Sequence, residues 1–567
     1  MMYMDLPNRK YQPFLKSLNE LGFCTFQIFD DQEIASLKSL YETNFGEKQI
    51  EQLYATHNSN PAEQGLKISE SIKSIVEVRL QEVFPDFNYF IGHFMVKGAN
   101  VAKEFPLHQD WNIVEESAYK SYQVWIPLQL TYPANGGLFV VPGSHKFFDN
   151  YRSGSYSIPV VPFQDNIKHI VTDLIVPPGN VVIYHNGLFH ASHINTTGEI
   201  RIVVIVNFVE KRAPLFYFQK NTTTNSTDLY SISGEVLLNH LPALEKGIVD
   251  EKIKLSKSVA ICPVKNETIT ADGLVQKFET KFGKIEAAQI KQLHITVEEK
   301  LENELNQNGY AVIDLLDNAT VDIFKQHYFS HFGSIDRTPG RFTTLQDTNA
   351  VVKRQMHDFI VEHVDVSLRK YFKDFIIPVS QFYTKKAFTS GDIDLHGDTS
   401  LLLNHQLEPH YAVWIPLIDV NADNGTLTVI PKSHLVHSAL FASSLGGYHE
   451  KYLDWLRQFE VPLSLKAGQA VIFDNNLLHN STANKTALDR LCFTFRITHF
   501  ASQYYSFFCA NLAEKNIEVS EETHDYYIAD TWDGNCKFPT GTPKGVIKNS
   551  LHTVQKSELE KILDINV

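Results

Sequence analysis

The chain repeats itself over a long distance, and this constrains its architecture more than any other feature. The run Val124-Trp125-Ile126-Pro127-Leu128 recurs as Val413-Trp414-Ile415-Pro416-Leu417, and Pro142-Gly143-Ser144-His145 recurs as Pro431-Lys432-Ser433-His434. Gly136, Gly179 and Arg201 answer to Gly425, Gly468 and Arg490, and all of these pairs stand 289 positions apart. Leu107-His108-Gln109-Asp110 matches Leu395-His396-Gly397-Asp398 at an offset of 288, so one residue is inserted between Asp398 and Trp414. Gly22-Phe23 and Gly309-Tyr310 open segments that end at Phe45-Gly46 and Phe332-Gly333, at an offset of 287. The period is far longer than that of a solenoid. The chain is an internal duplication, and its two copies are expected to share one fold.

Each copy reads alike. After the opening glycine and a short apolar stretch, Asp30 and Asp317 are expected helix N-caps. Ile34, Leu37, Leu40 and Tyr41 follow at helical spacing, as do Val321, Phe324 and Tyr328. Short β runs then alternate with turn residues: QVWIPLQL, GGLFVVPGS, GNVVIYHN and RIVVIVNFV in one copy, AVWIPLIDV, GTLTVIPKS, GQAVIFDNN and RLCFTFRITHF in the other. The expected class is mainly β with flanking helices (α+β): two double-stranded β-helix (jelly-roll, cupin-like) domains in tandem. Residues 1–250 form the expected first domain with its C-terminal extension, 251–290 a linker, and 291–567 the second domain with a related extension. Lys246-Gly247-Ile248 and Lys544-Gly545-Val546 are similar elements of the two extensions.

Composition narrows the function classes. Of 567 residues, 43% are hydrophobic and 20% charged, normal for filled globular cores. Acidic residues outnumber basic ones by 65 to 51, a formal net charge of -14, which argues against a broad nucleic-acid or anionic-membrane surface. The first residues, MMYMDLPNRKYQPF, contain no signal-peptide run, and no membrane-length apolar stretch occurs. Five cysteines (Cys24, Cys262, Cys492, Cys509, Cys536) form no CxxC pair, as expected of reduced thiols in a cytoplasmic protein. No nucleic-acid or membrane partner is expected. The oligomeric state is open, since a duplication can mimic a dimer within one chain.

A His-x-Asp pair at a strand end points two ligands to one side of the backbone, and a histidine from a distant strand completes a triangular face. Three metal positions then stay open, the pattern of two-histidine-one-carboxylate iron(II) oxygenases. In the first copy His185, His190 and His193 compete for the distal place. The corresponding positions in the second copy are Asp474, His479 and Thr482, so only His190 has a histidine counterpart. From Asp110 to His190 is 80 residues and from Asp398 to His479 is 81, the difference being the insertion. The candidate metal ligands are therefore His108, Asp110 and His190, and His396, Asp398 and His479.

Arg201 follows His190, and Arg490 follows His479, by 11 residues; Ser192 and Ser481 stand two residues after the same histidines. 2-Oxoglutarate chelates a metal through its 1-carboxylate and 2-keto oxygens, leaving its far carboxylate deeper in the fold. A guanidinium with a neighbouring hydroxyl can bind that carboxylate by charge-assisted hydrogen bonds.

This ordered set resembles the phytanoyl-CoA dioxygenase family: N-terminal helix, upstream lysine, HxD, a Trp-x-Pro strand, Gly-Gly then PGSH, and His-x-Ser-x8-Arg. The resemblance covers most of residues 15–210 and 300–500. It implies an iron(II)-, 2-oxoglutarate- and dioxygen-dependent oxygenase releasing succinate and carbon dioxide, with Arg201/Ser192 and Arg490/Ser481 holding the cosubstrate. It makes Trp125 and Trp414 an aromatic wall against the cosubstrate, the alternative being plain core packing. Lys97 and Lys385 match the family's upstream lysine, the alternative being strand-edge charges; His93 and Gln381 are then pocket-wall candidates. His145 and His434 are read as structural. Because Asp110 and Asp398 supply carboxylates, hydroxylation is favoured over halogenation, and desaturation, ring closure and epoxidation stay open.

The resemblance implies a small-molecule or carrier-bound substrate, and the differing residues around the two centres suggest two different substrate pockets. Three other readings stand beside it: one active domain with a structural or sensing copy, a non-enzymatic jelly-roll binding protein, and a cupin-type isomerase or dioxygenase that does not use 2-oxoglutarate.

Overall fold

A computed structural model describes residues 11–46, 50, 52–56, 61–100, 105–156, 160–161, 165–249, 258–284, 290–333, 341–347, 349–389, 393–436, 440–441, 448–509, 516–528, 539–548 and 554–563. The chain forms two compact units, Met1–Gln292 and Leu293–Val567. Both are mostly antiparallel β-sheet with flanking helices.

In the first unit the larger sheet has the strand order Phe23–Gln27, Asn180–His185, Ser121–Pro127, Arg201–Glu210, Phe87–Lys97, Leu53–Ala55. The smaller sheet runs Val160–Val161, Phe105–His108, His190–Ser192, Leu138–Val140, Thr172–Asp173. The second unit repeats this order. Its larger sheet runs Tyr310–Asp314, Gln469–Asp474, His410–Pro416, Arg490–His499, Ser380–Lys385, Arg341–Thr343, and its smaller one Ile393–His396, His479–Ser481, Leu427–Val429, Val461–Pro462.

The expected helices form where their caps place them. Asp30 accepts a hydrogen bond from the Glu33 backbone at 2.9 Å, and Glu33 returns one, closing a capping box on helix Asp31–Phe45. Asp317 caps Asn318–Phe332 through the Thr320 amide at 2.8 Å. Ile34, Leu37 and Tyr41, and Val321, Phe324 and Tyr328, are buried, while Leu40 is only half-buried. Gly22 and Gly309 end the preceding helices at φ 83° and 81°, a conformation that glycine adopts without strain. An added Cβ at either would collide with the ring of His145 or His434. Those rings also contact the carbonyls of Asn19 (3.4 Å) and Asn306 (3.1 Å), so the histidines of the PxSH turns bind the opening helix to the sheet.

The stretch 251–290 departs from the expected linker. Within it, Ser258–Pro263 completes a three-stranded sheet with Phe216–Asn221 and Ser226–Ser231, and Ala271–Phe282 buries Leu274 and Phe278. Lys281 of that helix donates to the Glu20 carbonyl at 3.0 Å. Non-local strand pairing and an amphipathic helix bind these residues into the first unit; residues 251–257 and 285–289 lie outside the described ones. Among the described residues Cys24, Cys262, Cys492 and Cys509 form no disulfide with one another; Cys536 lies outside the described residues, as do the first ten. Among the described residues no helix is long and apolar enough to cross a membrane.

Candidate active site

Neighbouring strands bring the ligand candidates together. His190 pairs in register with His108 across the smaller sheet, their ring centroids 4.3 Å apart. Nε2 of His108 lies 3.8 Å from Asp110 Oδ1, and Nε2 of His190 lies 3.7 Å from Oδ2. A metal about 2.0–2.2 Å from each donor requires separations of this order. Nδ1 of His108 contacts the Pro106 carbonyl and Nδ1 of His190 the Leu188 carbonyl, each at 2.9 Å. A carbonyl only accepts, so Nδ1 carries the proton and Nε2 offers its lone pair inward. Burial, then the neighbouring His190, pushes the His108 pKa down to about 4, keeping it neutral and able to ligate. Asp110 Oδ2 is buried with no hydrogen-bond partner, a costly arrangement unless a cation sits against it. This donor set fits a divalent metal.

The residues around the triad fix its geometry. Asp110 donates its amide to the Asn186 carbonyl at 3.0 Å, and Asn186 Nδ2 donates to the Trp111 carbonyl at 3.2 Å. Arg152 is wholly buried; its Nε donates to the Asp110 carbonyl at 2.6 Å, and its Nη2 meets Glu116 at 2.6 Å. Ser144 Oγ accepts from the Phe189 amide at 2.8 Å, holding the residue before His190. His185 and His193 lie outside this cluster: His185 Nδ1 accepts from the Gly187 amide, and His193 pairs with Asp173 at 2.6 Å.

Arg201 lies on the central strand of the larger sheet, 1% exposed, with Nε and Nη1 lacking partners. Burial lowers its pKa to about 10, which leaves it charged at neutral pH. It stands 5.8 Å from the Trp125 ring. Lys97, its register partner, is 1% exposed and donates to Ser192 Oγ at 2.8 Å. That rules out a strand-edge charge: the lysine anchors the serine, and Gly136 leaves space for its stem. A buried guanidinium beside a lysine-anchored hydroxyl has the chemistry to bind a carboxylate. Trp125, Arg201 and Ser192 line one cavity of about 510 Å³ together with the metal triad, His93, and Leu237, Leu238 and Leu241 of helix Gly234–Leu244. Trp125 is thus both core (2% exposed) and cavity wall.

The second unit repeats nearly all of this. His396 and His479 have ring centroids 4.3 Å apart, and His479 Nε2 lies 3.7 Å from Asp398 Oδ2. Their Nδ1 atoms contact the Asp394 and Leu477 carbonyls at 2.7 and 2.9 Å. Burial, then His396, lowers the His479 pKa to about 4. Asn475 donates to the Asp398 carbonyl at 3.0 Å, and Ser433 Oγ accepts from Leu478 at 2.8 Å. Lys385 donates to Ser481 Oγ at 2.9 Å, and Arg490 stands 5.5 Å from the Trp414 ring. Arg490 also reaches Cys492 Sγ, where the first copy has Val203.

Two features break the parallel. Phe441 takes the place of Arg152: its backbone bonds Ser400 as Arg152 bonds Asn112, but its phenyl side chain cannot donate to the ligand loop as the Arg152 guanidinium does. Arg496 takes the place of Asn207, with Nη2 2.6 Å from Asp398 Oδ2. Burial would raise the Asp398 pKa, but Arg496 and then His479 outweigh it and hold the carboxyl low. Two adjoining cavities of about 150 and 190 Å³ lie here; Gln381 lines both, and Phe507, Tyr526 and Tyr527 line the larger.

Asn186, Asn475, Arg152 and Arg496 were not among the sequence candidates. The asparagines are identical at the 289-residue offset and so were visible as pattern; Arg152 and Arg496 both differ from their counterparts, Phe441 and Asn207, and the offset alone singles out neither.

The sequence model of the family described as Phytanoyl-CoA dioxygenase (PhyH) matches residues 41–203 and 305–492, more than half of the chain. A phytanoyl-CoA dioxygenase domain-containing protein 1 from Danio rerio is 27% identical over 138 residues, covering 23% of this chain and 47% of that protein. Its Rattus norvegicus counterpart is 25% identical over the same length and coverage. The chain thus spans about half the length of these curated relatives. Among solved structures, EctD from S. alaskensis with 2-oxoglutarate and 5-hydroxyectoine is 18% identical, covering 37% of this chain and 78% of its own, with a TM-score of 0.28.

Proposed function

The chain belongs to the phytanoyl-CoA dioxygenase family, and on that premise we propose that its first copy is an iron(II)- and 2-oxoglutarate-dependent dioxygenase site, most simply a hydroxylase. Each copy is read as a double-stranded β-helix. His108, Asp110 and His190 would hold the iron, and Arg201 with Ser192 the far carboxylate of 2-oxoglutarate. When bound, iron(II) and 2-oxoglutarate supply dioxygen activation, with release of succinate and carbon dioxide. The observation that carries this reading is one cavity joining an unpartnered, buried Asp110 oxygen to the buried Arg201 guanidinium, whose Nε and Nη1 lack partners.

The residues of the chain do the rest. Pro106 and Leu188 carbonyls fix the imidazole tautomers, Asn186 and Arg152 hold the Asp110 loop, and Lys97 fixes Ser192. Trp125, which lines the cavity beside Arg201, would shield a bound cosubstrate from water. Beyond the metal the walls are largely apolar, with Leu237, Leu238 and Leu241 closing one side. Gln123 and Asn207 sit opposite each other in register, each with a buried amide oxygen lacking a partner. They suit a small, mostly apolar substrate, free or carrier-bound, whose one donor group they would orient beside the iron.

The second copy carries the same candidates, His396, Asp398, His479, Arg490, Ser481, Trp414 and Lys385, and the notion of two different substrate pockets extends to it. A structural or sensing role for that copy is the reading favoured by the Arg496 contact. The test is succinate formation from 2-oxoglutarate under iron(II), ascorbate and air, with Asp110→Ala and Arg201→Gln as controls. Succinate from the wild type, lost in both variants, is expected. No succinate under any condition would leave a jelly-roll binding protein or a 2-oxoglutarate-independent enzyme.

A further inference from the structure

We propose that Arg496 is a built-in counter-ion of the second centre that weakens its hold on iron(II), so that the first centre fills first. The proposal rests on the reading of the first centre as an iron site. Arg496 lies on the strand Arg490–His499, six residues beyond Arg490, and faces Ala412 across the sheet. Its Nη2 is 2.6 Å from Asp398 Oδ2, the oxygen that also faces His479 Nε2 at 3.7 Å. No N–H of Arg496 makes a directed hydrogen bond to that oxygen, so the contact is charge against charge. A guanidinium stays protonated throughout the accessible pH range. It therefore competes with a metal for the same carboxylate and repels a dication placed beside it.

The first copy shows what the position looks like without that charge. Asn207 occupies it, opposite Gln123, and both are neutral. The exchange is coordinated: a large amide opposite a small one becomes alanine opposite arginine, and Ala412 leaves the volume that the arginine side chain fills. The cavities follow the exchange. One space of about 510 Å³ reaches from Arg201 to the apolar wall in the first copy. In the second, Arg496 and Asp398 line both a cavity of about 150 Å³ that Arg490 and His479 also line and an adjoining one of about 190 Å³. Arg496 stands where the two meet. It is a positioning residue that acts on the metal through Asp398 and on substrate entry through its bulk.

The test is anaerobic calorimetry of the full-length apoprotein with iron(II), using variants that isolate each centre. In an Asp110→Ala background the remaining binding reports the second centre. There, Arg496→Asn should tighten iron(II) by about tenfold or more, and Arg496→Lys, which keeps the charge, should not. In an Asp398→Ala background, Asn207→Arg should weaken the first centre by a similar factor. Iron(II) affinity unchanged within twofold on Arg496→Asn, or wild-type centres that fill with equal affinity, would overturn the proposal and leave the oxygenase reading intact. No iron(II) binding in any variant would overturn both, and is thereby distinguished from failure of the proposal alone. Circular dichroism of each variant confirms that the compared proteins are folded.

Discussion

The strand that begins with the candidate cosubstrate arginine ends differently in the two copies. In the first, Asn207 leaves Asp110 facing two histidines and an open cavity; in the second, Arg496 reaches Asp398 and lines two smaller adjoining cavities. Everything that would touch iron or 2-oxoglutarate is matched, down to the serine, lysine and asparagine supports. What would touch substrate, or would tune the metal, is not. The divergence lies on the substrate side: a Leu-rich helix closes the first cavity, and Phe507, Tyr526 and Tyr527 border the second.

The comparison is broken most directly at the ligands. Asp110→Ala should lower succinate formation by about 100-fold or more, since loss of mere supporting groups already costs about 10–100-fold. Asp398→Ala should change it less than about twofold. Equal losses would make the centres equivalent. Next in size is the cosubstrate pair. Arg201→Gln removes charge-assisted hydrogen bonds of about 1.5–3 kcal/mol, so apparent 2-oxoglutarate affinity should fall by roughly 10- to 150-fold. Arg490→Gln should leave the 2-oxoglutarate dependence of turnover in place.

Arg152 sharpens the comparison, because Phe441 replaces it. Arg152→Leu frees the Asp110 carbonyl and leaves the half-buried Glu116 without its guanidinium, so iron(II) affinity of the first centre should fall by about tenfold. Glu116→Gln, which keeps the hydrogen-bonding shape, should soften that loss, as calorimetry would record.

Acid should separate the units by a smaller margin. Outside the candidate ligands, burial first lowers His327, His357, His449 and His499 to about 4 in the second unit. In the first unit it lowers His145, to about 2, and His185. These groups are neutral in the fold and take up protons on unfolding. Their contribution is complete above the unfolded histidine pKa of about 6.5 and is lost as pH falls toward the folded values. Hydrogen exchange between pH 7 and pH 4.5 should therefore show the second unit losing protection more steeply. The smallest effect is local. Lys432 sits at φ 69° where its counterpart Gly143 sits at φ 74°, so Lys432→Gly should raise stability by about 1 kcal/mol, read by thermal unfolding.

Much of this was legible in the sequence because the chain carries its own control. His190 stood out from His185 and His193 only because Asp474 and Thr482 answer the other two. Strand parity also put Asn207 and Arg496 on the face of Arg201 and Arg490, six residues on. The significance of that exchange needed the distance to Asp398, which no pattern supplies. Arg152 acts across 42 residues through a backbone carbonyl, a contact that leaves no spacing to read. The edge-charge alternative for Lys97 stayed open in the sequence because burial of a lysine depends on its partner, here Ser192, 95 residues away. The strand within 251–290 leaves no local signal for the same reason: Ser258–Pro263 is a strand by virtue of pairing with Ser226–Ser231.

The central claim, that the first copy is an iron(II)/2-oxoglutarate site, is tested most directly by the visible iron-to-ketoacid charge-transfer band formed anaerobically. It should be compared at limiting iron(II) for wild type, Asp110→Ala and Asp398→Ala. The account predicts a band in the wild type that Asp398→Ala retains and Asp110→Ala abolishes. A band that survives Asp110→Ala, or no band in the wild type, would contradict it.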